Sequence, residues 1–187
     1  MRESKDSEIR RDEFVAAAEK LFRENGIVET TINAIVKEMD VAKGLFYYYF
    51  ESKDDVIDAI SEKYNLDFRR SIERSLRQDE FDQRLDAFIE DSILSFRQMW
   101  EKLRGDNDDI DLSILASRSV DEAKKTASSV LEELLKEGNS SRKLNILSPK
   151  LFAEAIIGGM ADLAAQSEAT GEEIKKIIEG LIRSGKE

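Results

Sequence analysis

The amino-acid sequence predicts an all-α protein, and three observations carry that expectation. Apolar residues recur at helical spacing along nearly the whole length. Its 187 residues include a single proline and nine glycines. Ala, Leu, Glu, Lys and Arg, the good helix formers, dominate the remainder, and no segment shows a strand pattern, an internal repeat or a low-complexity tract.

The first helix is expected from about Ser7 to Asn25. Phe14, Ala18, Leu21 and Phe22 follow i, i+4, i+7 and i+8, and Asn25-Gly26 supplies a stop. Thr31 is a suitable N-cap for a short second helix carrying Ile32, Ile35, Val36 and Met39. KGLFYYYF, Lys43 to Phe50, follows a tight turn as a third helix. Ser52 and Asp55, three apart, resemble a capping box that opens a long fourth helix with the stripe Val56, Ile57, Ile60, Tyr64, Phe68, Ile72 and Leu76. The fifth carries Phe81, Leu85, Phe88, Ile89, Phe96, Met99, Trp100 and Leu103, and stops at Arg104-Gly105. An acidic connection, DNDDID, and a short apolar run from Ile110 to Leu115 come next. A further helix is expected from about Val120 to Lys136, broken by Gly138-Asn139-Ser140-Ser141. Ser148-Pro149 reads as N-cap and first position of the next helix, and Thr170 caps the last.

Composition excludes much chemistry. There are no cysteines and no histidines, so thiol nucleophiles, disulfides, imidazole bases and the commonest metal ligands are all missing. No metal, cofactor or catalytic residue is expected, and the chain is read as not an enzyme. A carboxylate-based enzyme is the remote alternative. DNDDID fails the calcium-loop template: from Asp106, the sixth position is Asp111 rather than glycine and the twelfth is Ser117 rather than glutamate, so it reads as a solvated linker. No apolar run nears the ~20 residues of a membrane span, and the start lacks the apolar centre of a signal peptide. A cytoplasmic location without membrane association is the expectation. Net charge is −11, and residues 1–55 hold nine Lys or Arg against thirteen Asp or Glu. Any nucleic-acid contact must therefore rest on a local arrangement of cations.

Two short helices joined by a tight turn and preceded by a supporting helix form the layout of a helix-turn-helix reader. Consecutive helical residues point about 100° apart, so KGLFYYYF cannot turn all its rings to one side. On that wheel Phe46 and Phe50 fall together, on one face that should pack inward. Gly44, Tyr48 and Leu45 fall on the opposite face, with Tyr47 and Tyr49 at its two edges.

The span from Phe14 to Ile60, centred on LFRENGIVETTINAIVKEMDVAKGLFYYYFESKDDVI, resembles the DNA-binding domain of the TetR family of transcriptional regulators. The resemblance implies an N-terminal three-helix helix-turn-helix DNA-binding domain, residues 1–52, followed by a helical effector-binding and dimerisation domain, residues 53–187. It implies a homodimeric, ligand-responsive repressor whose partners are a double-stranded DNA operator and a small-molecule effector. Carried over residue by residue, it makes Thr31 a helix cap that also touches phosphate and Asn33 a base-contacting residue. Lys43, Gly44, Leu45 and Tyr48 take the outward positions of the recognition helix, and Tyr47, Tyr49 and Lys53 match phosphate contacts. Asp40 stands where the family has a turn glycine, Ala42 where it has a capping serine, Leu45 where it has threonine, and Tyr49 where it has histidine.

The C-terminal two-thirds shows only a compatible helical plan. Tyr64, Phe68, Phe88, Phe96, Met99 and Trp100 are first a core stripe, and in a TetR-like fold also candidates for lining an effector pocket. Gly158 and Gly159 sit mid-helix, where glycine costs about 1 kcal/mol against alanine, a cost that close approach of another helix would offset. With Ile156, Met160 and Leu163, and with Ile174, Ile178 and Leu181 of the last helix, Gly159 is expected in a dimer interface, a four-helix bundle across a two-fold axis. The competing reading is a helical small-molecule or partner-binding module without DNA function.

Overall fold

The computed structural model describes residues 2–107, 109–166 and 168–184, with side chains from residue 7 onward. Among the described residues there are eight helices: α1 (Arg2–Asn25), α2 (Ile32–Glu38), α3 (Lys43–Tyr49), α4 (Lys53–Ser75), α5 (Phe81–Lys102), α6 (Ser113–Ser140), α7 (Pro149–Ala165) and α8 (Gly171–Arg183). Among the described residues there is no strand. The chain packs as two units, residues 1–64 with 102–119, and residues 65–101 with 120–187.

The first unit is built on the aromatic face of α1. Phe14, Val15, Ala18, Leu21 and Phe22 are buried, and the Phe14 ring meets Phe46 edge-on at 5.8 Å and Phe50 at 6.2 Å. Gly26, at φ 84°, ends α1, its amide donating to Phe22 O at 2.8 Å. A residue with a Cβ would be strained in that conformation. The buried hydroxyl of Thr30 closes the turn on Gly26 O (2.7 Å) and Leu21 O (3.1 Å). Residues 102–119 dock on the same unit: Asp106 N donates to Arg23 O at 3.0 Å, and Arg118 pairs with Asp58 at 2.7 Å and Asp54 at 3.5 Å. Tyr64 donates its hydroxyl to Glu19 Oε1 at 2.7 Å.

The second unit buries Phe68 and Ile72 of α4, Leu85, Phe88, Ile89, Ile93, Phe96 and Met99 of α5, Ala123, Ala127, Leu131 and Leu135 of α6, and the inner faces of α7 and α8. The Phe68 and Phe96 rings lie 4.7 Å apart, and Trp100 Nε1 donates to Ala161 O at 3.1 Å. Thr170 and Glu173 form a full capping box at the start of α8.

The structure departs from the sequence reading at both ends of α6. The helix begins at Ser113, so the apolar run up to Leu115 is its first turn, and it continues through Gly138 to Ser140. Gly138 is a contact glycine and not a stop: a Cβ there would lie 2.6 Å from Leu144 Cδ1 and 2.9 Å from Phe81 Cζ. The chain turns away four residues later, at Arg142, which takes φ 57°. Beyond it, Asn139 holds Ile146 by a reciprocal pair of hydrogen bonds at 2.8 and 2.9 Å. α1 also starts earlier than expected, at Arg2.

Candidate nucleic-acid interface

The head of the first unit is α2, a short turn and α3. Thr31, in extended conformation, caps α2 by accepting from Ala34 N at 3.1 Å. Met39 ends the helix, Asp40 takes φ 53°, and Val41 N returns to Val36 O at 3.0 Å. The aspartate thus occupies a left-handed position that glycine fills most cheaply. Ala42 stands at the N-cap of α3 in suitable extended geometry but offers no side-chain bond.

On α3 the helical wheel is realised. Phe46 and Phe50 are buried, whereas Tyr48 is 74% exposed and Tyr47 51% exposed. Gly44 is exposed with open space where a Cβ would stand, Leu45 is half-buried, and half-buried Tyr49 rests against Phe14 and edge-on to Tyr48 at 4.9 Å. Lys43 is exposed, its ammonium 5.9 Å from the Tyr47 ring centre. Thr31 and Asn33 are exposed on α2. Lys53 is half-buried, and its ammonium donates to the carbonyls of Ile27, Val28 and Thr30.

Most cations of this unit are already partnered. Lys20 pairs with Glu38 at 2.6 Å and lies 3.9 Å from Glu24; the hydrogen bond to Glu38 raises its pKa. Lys63 pairs with Glu19, Arg10 with Glu13, and Arg23 with Asp106, while Arg11 stacks 5.1 Å over Phe50. Lys37 and Lys43 form no ion pair among the described residues. Lys37 escaped the sequence reading although a signal existed: it lies one turn beyond Asn33 on the same face of α2. At the start of α4, Asp55 accepts from Glu51 N (2.7 Å) and Ser52 N (3.2 Å) and exchanges bonds with the Ser52 hydroxyl. These bonds, the one from Glu51 N foremost, hold its carboxyl below the usual value.

The other predicted groups lie elsewhere. Tyr64 belongs to the first unit, its hydroxyl committed to Glu19; Phe68, Phe88, Phe96 and Met99 are buried in the second unit, where Trp100 is half-buried. An open groove of about 620 Å³ on the second unit is lined by other residues, among them Leu94, Arg97, Lys175 and Glu179. Of the expected interface residues, Ile156, Met160, Ile174 and Ile178 are buried within the chain. Gly159 and Leu181 are exposed and Leu163 half-buried, and Ile177, on the apolar side of the last helix but not among the expected interface residues, is 51% exposed.

A supporting α1, a capped α2, a left-handed turn and an α3 with an aromatic outward face define a helix-turn-helix head. Residues 14–60 match the profile of the bacterial regulatory proteins of the tetR family. That match covers the helix-turn-helix segment, about a quarter of the chain. Over 70 residues it is 40% identical to the HTH-type transcriptional regulator HbdR of Aromatoleum sp. (strain CIB); the aligned part is 35% of this chain and 31% of that regulator. Similar solved structures extend the likeness in fold to nearly the whole chain. The fatty acid degradation regulator FadR from Bacillus halodurans matches with a TM-score of 0.66 at 21% identity, covering 94% of this chain and 95% of its own. AibR, solved with isovaleryl coenzyme A and operator DNA, matches at 0.65 with 19% identity, covering 94% and 99%.

Proposed function

We propose that the protein is a homodimeric, ligand-responsive transcriptional repressor without enzymatic activity, in which residues 1–52 read an operator and residues 53–187 bind a small molecule and dimerise. The observation that carries this reading is the outward face of α3, where Lys43, Gly44 and Tyr48 stand exposed beside exposed Asn33 and Lys37 of α2. Phosphate bonds from lysines and hydroxyls set register, while the outward face meets base edges in the major groove. Half-buried Leu45 offers only apolar contact, such as with a thymine methyl.

One short recognition helix gives little affinity, and a two-fold pair spans two half-sites. Support for the pair comes from α7 and α8. A Cβ at Gly158, Gly159 or Gly180 would meet nothing within 4 Å, so nothing among the described residues accounts for these helical glycines. Ile177 and Leu181, 51% and 48% exposed, lie on the neighbouring face of α8. Close approach of a second copy accounts for both features.

Release of DNA follows as a population shift: an effector that prefers a state with misplaced recognition helices lowers operator affinity by its differential affinity for the two states. α4, which contributes to both packing units, is the proposed coupling element. A cytoplasmic location fits this role; no described helix is long and apolar enough to cross a membrane. The test is a salt-sensitive preference of the purified protein for its own upstream region over random duplex. Equal affinity for the two sinks the proposal.

A further inference from the structure

The side chain of Lys53 presents an arrangement that a phosphate contact does not require. Its ammonium donates to Ile27 O at 2.6 Å, Thr30 O at 2.9 Å and Val28 O at 3.3 Å. A lysine ammonium has three N–H donors and no acceptor, so three carbonyls saturate it. Those carbonyls belong to the turn between α1 and α2, which has no helix or strand ladder to satisfy them. The turn is also held by its own Thr30 hydroxyl, by the Thr30 N bond to Gly26 O at 3.2 Å and by a longer bond from Ile27 N to Asp111 O at 3.4 Å. Thr31, the cap of α2, is the very next residue.

From this geometry we infer that Lys53 is a positioning residue of the reading head: it ties the first turn of α4 to the α1–α2 turn and so fixes where α2 begins, and it does not serve as a phosphate ligand. The inference rests on the DNA-binding reading for its functional consequence but not for its structural content. Transfer of the ammonium to a phosphate would leave the part-buried Ile27 and Thr30 carbonyls without another protein partner among the described residues, a cost that Lys37 and Lys43 do not carry. At the start of α4 the Ser52 hydroxyl accepts from Asp55 N at 3.2 Å while the Asp55 carboxylate accepts the amides of Glu51 and Ser52, so Lys53 takes no part in that cap.

Replacement tests separate the two roles. Lys53→Met should lower operator affinity by roughly tenfold or more while the slope of log K against log [salt] stays at the wild-type value; loss of a phosphate contact reduces that slope by about 0.9 per contact. Lys53→Arg should fail to restore affinity, because a planar five-donor fork does not match three converging carbonyls, whereas arginine serves a phosphate at least as well as lysine. Two readouts need no DNA affinity in the variant. Hydrogen exchange at the Thr30 and Ala34 amides should quicken at least about tenfold in Lys53→Met, reporting the loosened turn and cap. In the wild-type protein, the ¹⁵N-labelled Lys53 ammonium resonance should stay in place when operator is added. A reduced salt slope, rescue by arginine, unchanged exchange or a DNA-induced shift of that resonance overturns the inference. Failure of the wild type to bind any operator sinks the DNA reading alone, and the exchange result still decides the role of Lys53.

Discussion

Of the two helices that form the reading head, α3 alone starts without a side-chain cap, and Ala42→Ser should supply one. Ala42 holds φ −70° and ψ 143°, close to Thr31 (φ −98°, ψ 158°) and Thr170 (φ −77°, ψ 156°), both of which accept an amide bond from their own helix. A serine therefore needs no backbone movement, and the site is exposed, so its hydroxyl loses little hydration. The amides of Gly44 and Leu45 are the receiving donors, Leu45 N already turning back to Ala42 O at 2.9 Å. A Ser/Ala exchange at an N-cap is worth about 1 kcal/mol, or about 2–4 °C in Tm for a chain of this size. Urea and thermal unfolding followed by circular dichroism measure it, with Thr31→Ala as the internal standard expected to lose a similar amount. If Thr31→Ala loses stability and Ala42→Ser gains none, the reasoning about the α3 cap is wrong.

Four other outcomes are expected. If Lys37 and Lys43, which form no ion pair among the described residues, supply the phosphate contacts of each head, a dimer neutralises about four phosphates and log K should fall with log [salt] with a slope of roughly −3.6; Lys37→Ala/Lys43→Ala should abolish most of it in a titration at several salt concentrations. Tyr48→Ala should lower specific binding by about tenfold or more with unchanged helicity and unchanged binding to random duplex, which a gel shift on both duplexes resolves. Ile177→Glu or Leu181→Glu should give monomers by light scattering and abolish operator binding without unfolding the chain, because each places a charge on the proposed apolar dimer face. Asp55 is held below its unfolded pKa by the Glu51 and Ser52 bonds, so its contribution is present above about pH 4 and is lost as pH falls through the depressed folded value; Asp55→Ala should lower stability at neutral pH and flatten the acid limb of the stability curve.

The head is legible in the sequence because its signals are local. Thr31 precedes an i, i+3, i+4, i+7 run, and the helical step of about 100° alone separates buried Phe46 and Phe50 from exposed Tyr48. What stays hidden depends on residues far away in sequence. Gly138 looks like a stop until Leu144 and Phe81 are seen to occupy the space of its Cβ. Lys53 looks like a surface cation until the carbonyls of residues 27, 28 and 30 surround it. Periodicity alone places Ile156, Met160, Ile174 and Ile178 in a dimer face, because it marks a buried stripe without saying which side of the helix the chain itself covers.

That distinction bears on how so acidic a chain would hold DNA. A net charge of −11 sets an unfavourable background field, yet phosphate contacts act within about a Debye length of ~8–10 Å, so the local set decides. Acidic partners cover Lys20, Lys63, Arg10 and Arg23, and Lys53 is turned inward to carbonyls. Lys37 and Lys43, on α2 and α3, form no ion pair among the described residues. Partnered lysines add little to nonspecific attraction, so on the proposed reading random duplex would be held weakly. A larger share of the affinity then rests on groups whose fit depends on sequence, the Tyr48, Gly44 and Leu45 face. An acidic body with few unpaired cations thus lowers total affinity more than it lowers the ratio of specific to random binding.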